Sequence, residues 1–126
     1  MDKIIEIDGK KVGFRATALT PRLYRHKVGR DVVRDLNQLK NSYNRVKHLP
    51  RNASKAEKED AQLSVLDLEI FENIAFVMAK QYDSSVPDTT EEWLEKFSIF
   101  SIYEILPHIL ELWQLNQKTT SSPKKK

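Results

Sequence analysis

The fold turns on LSVLDLEIFENIAFVMAKQY, residues 63–82. Its apolar positions Leu63, Val65, Leu66, Leu68, Ile70, Phe71, Ile74, Ala75, Phe76, Val77, Met78 and Ala79 cover nearly the whole circumference of a helix. A helix that is apolar all round has no face to give to water, so it belongs at the centre of a domain. Ser54 with Glu57 has the capping-box spacing and is read as its opening, with acids crowding the first turns where the helix dipole is positive. Ser84-Ser85-Val86-Pro87-Asp88 closes it.

Upstream, Lys3–Ile7 and Val12–Ala16 flank Asp8-Gly9, a pair that adopts positive φ at little cost and signals a hairpin turn. An isolated two-stranded hairpin is marginal, so Ile5, Ile7, Val12 and Phe14 are expected to pack on helices or to pair with another chain. Thr20-Pro21 reads as a helix start, with Thr20 capping free amides and Pro21 in the first turn. Leu23, Tyr24 and Val28, and then Val32, Val33, Leu36, Leu39, Tyr43 and Val46, follow at helical spacing, interrupted by Gly29. Residues 21–47 are therefore one bent helix or two, and the spacing allows both.

Downstream, Thr89 with Glu92 and Ser101 with Glu104 repeat the capping-box spacing. The first opens a short helix with Trp93, Leu94 and Phe97. The second opens a last helix with Ile102, Ile105, Leu106, Ile109, Leu110, Leu112, Trp113 and Leu115, in which Pro107 predicts a kink. The expected fold class is mainly α (α+β): one domain, residues 1–117, of four to five helices with an amino-terminal β-hairpin. Residues 118–126, polar and ending on three lysines, are expected to form a disordered tail.

With 126 residues, 40% hydrophobic and 31% charged, the composition is that of a globular protein with one core. No apolar run reaches the roughly 18 residues that span a bilayer, and MDKIIEIDGKK lacks the longer apolar region of a secretory signal. A reducing cytoplasm is expected, in keeping with the absence of cysteine. The net charge of +3 hides a strong segregation. Residues 21–55 hold ten bases and two acids, +8, while residues 56–115 hold three bases and thirteen acids, −10. Such opposite fields bear on partners and self-association rather than on fold.

Motifs that would carry chemistry do not accumulate. The glycines Gly9, Gly13 and Gly29 form no phosphate loop, and His26, His48 and His108 lack metal-ligand spacing. No G-x-S-x-G elbow is present, and the carboxylates from Glu57 to Glu72 have the spacing of a helix surface. No enzymatic activity, cofactor or metal is expected. The basic segment 21–47, with Arg22, Arg25, Lys27, Arg30, Arg34 and Lys40, supports an alternative: a small nucleic-acid-binding regulator. The −10 segment would repel the same polyanion, so nucleic acid is the weaker partner.

RATALTPRLYRHKVGRD (15–31), FENIAFVMAKQYD (71–83), VPDTTEEWLEKFSIFSIYEILPHILELWQLN (86–116) and TTSSPKKK (119–126), in this order, resemble the tail assembly chaperones of long-tailed phages and prophages of Gram-positive bacteria. The resemblance covers nearly the entire chain. It implies a small, largely helical, non-enzymatic protein of the host cytoplasm that is not part of the mature virion. Its partners would be the tape measure protein, which it binds and keeps soluble, and the major tail tube protein, whose subunits it helps recruit. Like the short member of the lambda pair, this chain would be the unshifted product of a gene with a −1 ribosomal frameshift near its end, the longer product carrying an extension. A slippery adenine run encodes lysine, which would account for Lys124, Lys125 and Lys126.

That role needs an apolar surface for a long amphipathic client and a self-contact. The sequence offers the last helix, with Ile102, Ile105, Ile109, Leu112 and Trp113, as the client face. For self-association it offers Arg22, Arg25, Arg30 and Arg34 of one copy against Glu57, Asp60, Asp67 and Glu72 of another.

Overall fold

The computed structural model describes residues 1–56 and 63–120, with side chains through Leu115. An antiparallel hairpin, β1 (Asp2–Ile7) and β2 (Lys10–Arg15), is followed by α1 (Thr20–Val28), α2 (Val32–Lys47), α3 (Val65–Tyr82), α4 (Thr90–Leu94) and α5 (Ile102–Thr120). This is the expected mainly helical α+β architecture.

Asp8 (φ 54°) and Gly9 (φ 75°) form the two-residue turn, and the strands pair from Ile7↔Lys10 to Asp2↔Arg15. Alternation buries Ile5, Ile7 and Phe14 on one face. On the other face, β2 lies so close to Tyr82 that a Cβ at Gly13 would come within 2.1 Å of its ring. The turn is also tied down: Lys10 Nζ donates to the Lys96 carbonyl at 2.8 Å, and Ser98 N–H donates to Asp8 Oδ2 at 2.9 Å. At the other end of β1, Lys3 Nζ meets Glu111 Oε1 of α5 at 2.7 Å.

Residues 21–47 are two helices. Gly29, at φ 80°, ends α1 in the left-handed conformation that glycine tolerates, its N–H donating to the Arg25 carbonyl at 2.8 Å. Asp31 then caps α2, accepting from Val33 N–H at 2.9 Å. Thr20 does not cap free helix amides as expected. Its buried hydroxyl accepts from Thr17 N–H at 2.9 Å and donates to Gln81 Oε1 at 2.7 Å, which fastens α1 to α3.

The central helix opens later than the spacing at Ser54 and Glu57 suggests. Ser64 and Asp67 form the reciprocal capping box, with Asp67 N–H donating to Ser64 Oγ and Ser64 N–H to Asp67 Oδ2, both at 3.0 Å. Glu57 lies outside the described residues. From Ile70 to Ala79, α3 is interior as predicted, in contact with β2, α1, α2, α4 and α5. Its first turns are not, for Val65, Leu66 and Leu68 are exposed.

Thr89 caps α4 as its spacing suggests, accepting from Glu92 N–H at 3.1 Å. This five-residue helix is too short to stand alone, and Trp93 holds it in place. The indole packs edge-on against Phe14, Phe97 and Phe100, with centroid distances of 6.3, 5.4 and 5.3 Å. Each such pair adds about 1 kcal/mol beyond area burial. The helix α5 runs through Pro107 and is assigned to Thr120; residues 121–126, most of the expected tail, lie outside the described residues.

Candidate docking surfaces

The apolar face of α5 is turned inward. Ile102, Ile105, Ile109, Leu112 and Trp113 are all buried, none more than 8% exposed, within one core with Ile5, Phe71 and Met78. Residues expected to meet a client are thus committed to the fold, where they lie with α5 against β1 and α3.

The expected self-association set divides. Arg30 is engaged within its own chain: its Nε and Nη2 donate to Asp35 Oδ2 and Oδ1, both at 2.8 Å, and Tyr24 Oη donates to the same carboxylate at 2.7 Å. Asp35 is 1% exposed. Burial alone would raise its pKa, but the hydrogen bonds from Arg30 and Tyr24 outweigh this and hold it below the usual carboxylate range. Burial and the adjoining carboxylate push the Tyr24 phenol far up, so it stays a donor. Asp67 is likewise buried, with Gln38 Nε2 donating to it at 3.1 Å in addition to its capping bond. Hydrogen bonds from Ser64 and Gln38 lower its pKa against the effect of burial. Asp67 is therefore no part of an external acidic face. Glu72 is half-buried, its pKa raised by desolvation and by Glu69 and Glu91. Glu57 and Asp60 lie outside the described residues. Arg22, Arg25 and Arg34 are exposed and make no ion pair among the described residues.

A groove the sequence did not single out lies between α1 and α3. Leu23, Phe76 and Val77 form the floor of a groove of about 360 Å³, bordered by His26, Lys27, Lys80 and Gln81. Its walls are fixed by a side-chain chain in which Thr20 Oγ1 donates to Gln81 Oε1 and Gln81 Nε2 donates to Thr17 Oγ1 at 2.6 Å. The Lys27 ammonium stands 5.8 Å from the Phe76 ring centroid. Lys80 fixes the following loop, its Nζ donating to the Ser84 and Val86 carbonyls and to Asp88 Oδ1 at 3.1 Å. The missed signal is a matched pair: Leu23 with Lys27 on α1 and Phe76 with Lys80 on α3 each set an apolar side chain one turn before a cation.

A wider recess of about 640 Å³ separates the hairpin from the end of α3, with Ile4, Val12, Gly13, Tyr82, Val86 and Phe97 in its lining. Lys10, Lys11 and Lys96 also face it, so it is more polar than the α1–α3 groove. In the wider recess Ser85 Oγ donates to Asp83 Oδ1 at 2.7 Å, within the loop that follows α3. Among the described residues no group of three His, Asp or Glu side chains is placed to hold a metal, and no helix is long and apolar enough to cross a membrane. An apolar floor with cations along its border is suited to seating an amphipathic segment. Comparison with family models, with curated proteins and with solved structures finds no match to this chain.

Proposed function

We propose that the chain is a non-enzymatic phage tail assembly chaperone, the short product of a gene with a −1 frameshift near its end. It binds the tape measure protein in the host bacterial cytoplasm, keeps it soluble and helps recruit tail tube subunits around it, the latter through the longer frameshifted product. It is absent from the mature virion. The ordered sequence resemblance supports this reading, and the observation that carries it is the apolar, cation-bordered groove between α1 and α3. With the α5 stripe inside the core, that groove is where the client's amphipathic helix is seated, its apolar side on Leu23 and Val77.

Co-expression with the tape measure protein of the same phage tests this directly. The wild-type chain should move that protein from the insoluble to the soluble fraction, and Leu23→Asp should forfeit most of the effect while remaining folded by circular dichroism. A tape measure protein equally insoluble with and without the chain would defeat the proposal. The nucleotide sequence over Pro123–Lys126 is an independent check, since the frameshift requires an adenine-rich run followed by an open −1 frame.

The second reading, a nucleic-acid-binding regulator using the basic helices of residues 21–47, is favoured by the exposed Arg22, Arg25 and Arg34. Arg30, held by Asp35, is not available to it. Binding to unrelated DNA with a steep loss of affinity as salt rises would select that reading over the first.

A further inference from the structure

We infer that the outer edge of β2 accepts a third strand: an extended, acidic segment of another protein, with apolar side chains among its acids, lying in the wider recess between the hairpin and the end of α3. The inference is independent of the α1–α3 groove and of what that groove seats. Its first support is the hydrogen-bond register of the hairpin. Ile7 and Lys10 flank the two-residue turn as a bonded pair, and an even number of positions back along β1 the pattern recurs, with Met1 and Ala16 exchanging both bonds at 2.9 Å. Bonded pairs alternate with non-bonded ones, so Lys11, opposite Glu6, and Gly13, opposite Ile4, belong to the latter. Their N–H and C=O groups therefore point away from β1. Among the described residues no hydrogen bond reaches these groups from elsewhere in the fold. Both residues line the recess of about 640 Å³, a size at which sites enclose a ligand. An unpaired strand edge beside open space is a template for strand addition.

The second support is what surrounds that edge. Val12, Val86 and Phe97 give the recess apolar walls, and Ile4 and Tyr82 continue them on the outer face of the hairpin. Lys11 and Lys96 stand there as well and make no ion pair among the described residues; Lys11 makes none even with Glu6. Lys10 is engaged by Asp8 and the Lys96 carbonyl. The one carboxylate in the lining, Asp83, is taken up by its own loop, accepting from Ser85 N–H at 3.0 Å and from Ser85 Oγ at 2.7 Å. The charge left over is positive, and its complement is an acidic segment. Successive side chains of an added strand point to opposite faces, so one row would meet Ile4 and Tyr82 and the other Val12 and Phe97. The open backbone thus asks for an extended chain, and the recess asks for acids and apolar residues along it.

NMR on the purified full chain, with a short probe peptide of alternating valine and glutamate, tests the proposal. Resonances of Lys11, Val12, Gly13, Tyr82 and Phe97 should shift. The Lys11 and Gly13 amides, quick to exchange with solvent in the chain alone, should slow by tenfold or more when the peptide is present. Lys11→Ala keeps the outward N–H and removes the charge, and it should weaken peptide binding by about threefold. Lys11→Pro removes both without breaking a bond to β1, and should weaken binding by about tenfold or more. Thermal melts establish that both variants are folded. Should Lys11→Pro disturb the hairpin, probe peptides N-methylated at alternate residues serve instead: one alternate series should abolish the amide protection and the other should leave it.

A peptide that does not bind at millimolar concentration, or that shifts Leu23 and Phe76 of the α1–α3 groove in place of the recess, would overturn the inference. Equal binding of an alternating valine–lysine peptide would do so too, as would equal tolerance of both methylated series. Amides of Lys11 and Gly13 already protected without peptide would mean that the edge is filled by the chain itself. Protection that grows with protein concentration alone would assign it to a second copy, and either result defeats the proposal.

Discussion

The helices α1 and α5 carry the same ingredients and put them to opposite uses. On α5 the apolar stripe is wide and fully covered, from Ile102 through Trp113. On α1 only Thr20 and Tyr24 are buried, Leu23 and Val28 are partly covered, and the remaining width becomes one wall of a groove. Helical periodicity shows that a helix has an apolar side; it does not show how much of that side its neighbours reach. A long helix packed on both β1 and α3 has its stripe closed over. A nine-residue helix fastened to α3 by Thr20 and Gln81 leaves part of it open.

If that contrast is right, substitutions on α5 act on stability and those on the outer side of α1 act on binding. Ile109→Ala, at a site with no solvent exposure, should cost about 3–4 kcal/mol in chemical denaturation, through lost burial and the cavity left behind. A cost below about 1 kcal/mol would mean that α5 is loosely held and would return it to the list of client surfaces.

Asp35→Ala comes next, at about 2–3 kcal/mol near neutral pH. It leaves the buried Tyr24 hydroxyl without its acceptor, while the half-exposed Arg30 guanidinium recovers water. The sign of the pH dependence follows from the lowered pKa of Asp35. Its contribution is present above the unfolded carboxylate value of about 4 and is lost as pH falls through the lower folded value. The gap between wild type and Asp35→Ala should therefore stay constant from neutrality to about pH 5 and narrow only below about pH 4. A gap that narrows already near neutrality would show that the carboxylate is not the anchor of the α1–α2 junction.

Gly29→Ala should cost about 1 kcal/mol, because a side chain at φ 80° is strained although nothing obstructs it in space. Lys27→Ala should be the smallest, within about 0.5 kcal/mol of wild type in a thermal melt, since an exposed cation over a ring stabilises only weakly. Should Lys27→Ala destabilise as strongly as Ile109→Ala, the groove would be part of the core and the comparison would fail.

Much of this arrangement is legible in the residues, for identifiable reasons. Asp8-Gly9 and Gly29 announce positive φ because few other residues accept it, and both stand where the sequence placed breaks. Thr89 announces α4 because a capping hydroxyl and a following acid act over three residues only. At Ser54 the same spacing to Glu57 stands before helical residues 55 and 56, with Glu57 outside the described residues, while the central helix has its own box at Ser64 and Asp67; local chemistry does not tell one long helix from two starts. Asp35, Asp67 and Arg30 are hidden for a different reason. On a helix an aspartate reads as a surface residue, and only the tertiary approach of Tyr24 and Arg30, or of Gln38, makes burial tolerable. The groove is hidden in the same way, since Leu23 and Phe76 are 53 positions apart and nothing local relates them.

The bonds from Asp8 to Ser98 and from Lys3 to Glu111 also set the order in which the molecule can be completed. The hairpin forms among neighbours within microseconds, but its inner face meets α5 only across more than a hundred residues of chain. During synthesis the first strand must wait, half-covered, until the last helix has left the ribosome. The part of the core between β1 and α5 is the last that can close, and a chain stopped before Leu112 would lack side chains that seal it.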